Sequence, residues 1–89
     1  MKLPLIRSLV EYAESNDKGT APIEASIEVL EQISQARGLK DEEIDVIGEL
    51  ISNMCGALEV HQEVSNGTPQ REALNQFMQR VLGSIEKQH

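Results

Sequence analysis

Residues 41–64 read DEEIDVIGELISNMCGALEVHQEV, twenty-four residues without a proline. Apolar side chains recur at Ile44, Ile47, Ile51, Met54 and Leu58, then at Val64, with Leu50 and Ala57 beside that line. Spacings of three and four mark one face of an α-helix, since a turn takes 3.6 residues. At 1.5 Å per residue such a helix would be roughly 36 Å long. Asp41, Glu42 and Glu43 suit the partial positive charge of its N-terminus. Lys40 or Asp41 caps it; with Lys40 at the cap, Leu39 and Ile44 stand at the two positions of a hydrophobic staple. Asn66-Gly67 supplies the stop, because glycine takes the left-handed conformation at little cost.

Working backward, residues 22–37 predict a second helix, with Ile23, Ile27, Leu30 and Ile33 or Ser34 as its buried stripe and Gly38 as its end. Residues 15–20, SNDKGT, are of the types that compete with helix for the backbone. Residues 4–15 predict a short first helix opened by Pro4, with Ile6, Leu9, Val10 and Ala13 on one face. Working forward, Thr68 is a cap and Pro69 a first helical position. The fourth helix, about 69–86, places Ala73, Leu74, Phe77, Met78, Val81, Leu82 and Ile85 on one face. Gly83 weakens its last turns, and the tail to His89 is expected to fray. No β-alternation of useful length, internal repeat or low-complexity segment appears. The expected architecture is all-α: one domain over 1–89, a four-helix antiparallel bundle with a short first helix and a long central third, its neighbours set by short links.

Eighty-nine residues are near the small end for a self-sufficient core. Only Tyr12 and Phe77 carry aromatic rings, so the core must be aliphatic and buries less area per side chain. That favours a partner chain completing the burial. The net charge of −7 argues against a nucleic-acid partner, which needs clustered Lys and Arg. No run approaches the roughly 18 apolar residues of a membrane span, and Arg7, Glu11 and Glu14 break any signal-peptide core. A single cysteine, Cys55, excludes an intrachain disulfide; a reducing cytoplasm is the simplest setting.

At about 100° per residue, Val46, Ala57 and Leu50 fall on one side of the long helix, Ile47 and Met54 in the middle, and Ile51, Ile44 and Cys55 on the other. This arc approaches half the circumference, wider than a surface helix of a small bundle needs. The helix is therefore the central one enclosed by its three companions, or leaves part of its face for a second copy, and the two can hold together; C2 dimers are the commonest oligomers. Gly48, Ser52 and Gly56 stand four apart, a small-residue groove that admits another helix closely, within one chain or between two. Interior glycine costs up to about 1 kcal/mol against alanine, so two of them call for a packing reason. The candidate interface is Gly48, Leu50, Ile51, Ser52, Met54, Cys55, Gly56, Leu58 and His61.

Catalytic chemistry finds little support. Cys55 and His61 are six residues apart, well separated around the axis, whereas a Cys–His pair must lie within about 3 Å. A buried structural cysteine and a satisfied histidine are the expected roles. No HExxH, His-x3-His or Cys-x2-Cys occurs. A di-iron bundle needs Glu-x-x-His, and Leu58 stands where that glutamate would be. The many carboxylates, Glu24, Glu28 and Glu31 among them, read as solvated faces. No catalytic residue, metal ligand or cofactor is expected; Met54 and Met78, expected to be buried, could line an adaptable ligand pocket.

LKDEEIDVIGELISNMCGALEVHQEVSNGTP and FMQRVLGSIEK resemble a small family of uncharacterised bacterial all-helical proteins, a resemblance covering nearly the whole chain and implying fold rather than activity. Residues 39–67 are also similar to the helical core of alkylhydroperoxidase-D and carboxymuconolactone decarboxylase proteins. That core carries Cys-x-x-Cys-x-x-x-His. Cys55 matches the first cysteine, Leu58 replaces the second, and His61 is one residue short. The resemblance thus implies a helical hairpin without its redox pair. The expected function is a non-catalytic, homodimeric protein-interaction or regulatory protein of the cytoplasm; the alternative is a redox accessory using Cys55.

Overall fold

The described residues form four helices: α1 (Leu3–Ser15), α2 (Ala21–Ser34), α3 (Asp41–Ser65) and α4 (Gln70–Lys87). The computed structural model describes the backbone of residues 2–87 and the side chains of residues 2–80, and among the described residues there is no strand. Pro4 lies in the first turn of α1, where its missing N–H goes unneeded. Asn16 ends that helix. Its amide donates to the Tyr12 carbonyl at 2.6 Å and the Gly19 carbonyl at 3.1 Å, and its Oδ1 accepts from the Lys18 N–H at 2.8 Å.

Helix α2 stops at Ser34, short of the Arg37 expected from periodicity. The Ser34 hydroxyl donates to the Glu31 carbonyl at 2.6 Å, the acceptor that a further helical N–H at Gln35 would use. The Gln35 N–H turns instead to the Gln32 carbonyl at 3.2 Å, and the Ala36 N–H to the Ile33 carbonyl at 2.9 Å. Lys40 is the N-cap of α3, and its N–H donates to the Glu43 carboxylate at 2.9 Å. An ammonium has no lone pair, so only this half of a capping box can form. At the far end the Thr68 N–H reaches the Glu63 carbonyl at 3.1 Å and the Gly67 N–H the Val64 carbonyl at 3.0 Å. This is a Schellman turn, and it requires the left-handed backbone of Gly67, φ 105°.

Helices α1, α2 and α4 all pack on α3, α1 also touches α4, and α2 packs chiefly on α3. The bundle is therefore flat. Its Cα atoms span 44 × 42 × 17 Å, less than two helix diameters thick. Ile6, Val10 and Ala13 of α1, Ala57 and Val60 of α3, and Ala73, Leu74 and Phe77 of α4 are buried, with Leu9, Val64 and Met78 partly so. Val81, Leu82 and Ile85, expected on the same face of α4, lie outside the described side chains, as does Gly83.

The buried side of α3 differs from the expected stripe. Asn53, Gly56, Ala57 and Val60 are its buried residues, roughly 100° around the axis from the line through Ile47 and Met54. Ile44 is exposed, and Ile47, Ile51, Met54 and Leu58 are only half-buried. Gly56 there meets Phe77 and Ile6, Ala57 and Val60 join the apolar core, and Asn53 is wholly buried although polar. Its Oδ1 accepts the Lys2 N–H at 2.9 Å and its Nδ2 donates to the Glu49 carbonyl at 2.7 Å, so both ends are satisfied. One donor that helix α1 leaves unpaired at its N-terminus is thus met from the middle of α3. Asn53→Ala is expected to orphan that N–H and open a small void. The loss is about 1–3 kcal/mol, read from the midpoint of a urea unfolding curve.

Candidate functional site

Burial stops partway along α3. No residue from Asp41 to Ser52 is buried, and on α2 only Ile23 is. The α2–α3 hairpin beyond the core is thus two helices sharing one seam. Helix α2 turns Ile23, Ile27, Leu30 and Ser34 inward, although Ile27 and Leu30 are only half-buried and Ile33 is exposed. Ile33 falls instead on a second line, Pro22, Ala25, Val29 and Ile33, spaced three, four and four. That line is uncharged. Glu24, Glu28 and Glu31 are turned away from that line, about 100–180° around the helix from Val29 and Ile33. Val29 is 58% exposed and Ile33 41%.

Beside this ridge runs an apolar groove of about 440 Å³, lined by Ala25, Ser26, Val29 and Leu30 of α2 and by Leu50 and Met54 of α3. Ser26 and Met54 also line a neighbouring groove of about 240 Å³ with Leu9, Tyr12, Pro22 and Ile23. The two make one apolar face reaching from the hairpin onto α1. Val46, 55% exposed, falls on the same side of α3 as Leu50 by its four-residue spacing.

The structure divides the residues expected at an interface. Leu50 and Met54 meet in the groove. Ile51, Leu58 and His61 are half-buried, while Gly48, Ser52 and Cys55 are exposed on an arc about 150° from Leu50 and Met54. Cys55 is thus an exposed thiol and not the buried cysteine expected. The small-residue line does not act as a unit. A Cβ on Gly48 would meet nothing within 4 Å, whereas one on Gly56 would lie 2.9 Å from Phe77 Cζ and 3.3 Å from Ile6 Cδ1. Gly56 is glycine because an aromatic ring of the same subunit rests on it. Met54 and Met78 are half-buried, not enclosed. The sequence pattern held a usable signal for the ridge residues Ala25 and Val29, which lie on an uncharged line of α2 turned away from its glutamates.

Cys55 and His61 are about 9 Å apart along the α3 axis. Among the described residues no group of three or more His, Cys, Asp or Glu is placed to hold a metal, and no helix is long and apolar enough to cross a membrane. Elsewhere, Glu59, Glu63, Gln76 and Arg80 rim a shallow hollow over Val60 and Phe77. There Arg80 pairs with Glu59 and lies 5.6 Å from the centre of the Phe77 ring.

The molecule defined by these features is a flat all-helical protein built on one long central helix, with an open apolar face at one end. The model of a family of unknown function, DUF6952, matches residues 1–86, and the chain belongs to that family. No curated protein and no solved structure matches it. None of these comparisons supports the likeness to the alkylhydroperoxidase-D core.

Proposed function

We propose that this protein is a non-catalytic interaction or regulatory protein of the cytoplasm that works as a homodimer. One observation carries the reading: the apolar surface of α2 and of the first half of α3 stays open after the subunit has folded, with Val29 and Val46 both more than half exposed. Contiguous apolar surface of this kind marks an interaction site more often than scattered exposed side chains do. The redox alternative has the accessible Cys55 thiol in its favour, but the chain holds no second cysteine to resolve a disulfide. Light scattering across the micromolar range tests the dimer. A mass near twice 9.9 kDa is expected; a monomeric mass at every concentration removes the homodimer.

A further inference from the structure

We infer that Asn66 is a site of spontaneous conversion to aspartate and isoaspartate, and that the turn ending α3 gates it. The chain has four asparagines, Asn16, Asn53, Asn66 and Asn75, and of these Asn66 precedes a glycine. Asparagine is lost when the backbone nitrogen of the next residue attacks its carboxamide carbon. A glycine in that next position puts no side chain in the way. Two of the other asparagines are tethered. The Asn16 side chain makes three hydrogen bonds, and Asn53, wholly buried, makes two. Asn75 lies inside α4 with the bulkier Gln76 after it. Asn66 is exposed, and among the described residues no hydrogen bond holds its carboxamide.

The chemistry is hydrolytic and needs only water. Solvent base takes the Gly67 amide proton. The Gly67 nitrogen bonds to Asn66 Cγ, the Cγ–Nδ2 bond breaks, and the side-chain nitrogen leaves as ammonia. Water then opens the five-membered imide on one side of its nitrogen. Opening at Cγ gives aspartate; opening at the backbone carbonyl gives isoaspartate, whose main chain runs through Cβ. Nothing is oxidised or reduced.

The folded turn blocks the first two steps. The Gly67 N–H donates to the Val64 carbonyl at 3.0 Å, which shields its proton from base. Asn66 sits at φ −82°, ψ 2°, so the Gly67 nitrogen nearly eclipses the nitrogen of Asn66 itself. By the tetrahedral geometry at Cα, the Cβ bond stands about a third of a turn away. Ring closure must rotate the Cα–C bond by that much, which breaks the Gly67 bond to Val64 and the Thr68 N–H bond to the Glu63 carbonyl. Attack therefore waits for the link between α3 and α4 to open. The products do not restore the turn. Isoaspartate lengthens the main chain by one carbon, and either product sets a new carboxylate at the negative end of the α3 dipole.

Peptide mapping by mass spectrometry tests this on the full chain, held in mildly alkaline buffer with and without guanidinium chloride. In denaturant, Asn66 is expected to show the mass gain of NH2 replaced by OH before the other three asparagines do. In native buffer its conversion is expected to be slower by about tenfold or more, the factor given by an opening cost of about 1.4 kcal/mol. Equal rates in the two buffers overturn the gate. Another asparagine converting first in denaturant overturns the site. Converted wild-type protein is expected to unfold at a lower urea concentration than before ageing, whereas Asn66→Gln aged in parallel keeps its own midpoint. An unchanged midpoint in fully converted protein overturns the loss of the turn.

Discussion

Phe77→Ala is expected to cost about 3–5 kcal/mol, the usual loss when a buried aromatic ring is truncated in a core. A domain of 89 residues has about 4–13 kcal/mol in total at ordinary stability per residue, so the variant should sit at the edge of folding. The ring is 5% exposed and lies on Gly56, in a layer too thin for other side chains to close over the void. Urea unfolding followed by circular dichroism measures the loss; an unfolding midpoint close to wild type would mean that α4 does not hold the core.

Gly56→Leu should be nearly as damaging, for the opposite reason. A Cβ at 2.9 Å from Phe77 Cζ already demands movement, and three further carbons have no room. Overpacking of this kind costs about 1–3 kcal/mol and occasionally more; the upper end is expected, since Ile6 closes the other side. For a domain of this size each kcal/mol lowers the melting temperature by about 4–8 °C. Gly56→Ala should fall between, its gain in helix propensity of about 1 kcal/mol offset by displacement of the ring. The pair should be coupled: in a Phe77→Ala background Gly56→Leu should cost far less, because the leucine enters the space the ring has left. Additive losses in that double-mutant cycle would show that the two residues do not meet in solution.

Helix existence and order were legible because caps and periodicity agreed. Pro4, Asn66-Gly67 and Thr68-Pro69 punctuate the chain where the structure turns, and the faces through Ile6 and Val10 and through Ala73, Leu74 and Phe77 are those the core uses. The inward side of α3 was not legible. Hydropathy rewards Ile47, Ile51 and Met54, but the helix buries Asn53, Gly56, Ala57 and Val60. Two of those four carry no apolar signal, and their positions follow from partners far away in the chain, the Lys2 backbone and the Phe77 ring. Of the candidate interface, Leu50 and Met54 came together as a surface. The two glycines separated because equal spacing along α3 does not give equal neighbours. The early end of α2 was hidden for a similar reason, since one hydroxyl rotor at Ser34 competes with the helix.

Helix α3 is continuous in its backbone hydrogen bonding but uneven in what covers it. Its buried residues, Asn53, Gly56, Ala57 and Val60, all lie from its midpoint onward, in the core shared with α1 and α4, and none lies before Asn53. Local opening free energy follows such coverage, so amide exchange in the isolated subunit would be slow around Val60 and fast near Ile44. Docking on the hairpin would then tighten a frayed segment as well as cover it. Part of the contact energy would go into that ordering, leaving an association weaker, and more easily reversed, than its area alone implies.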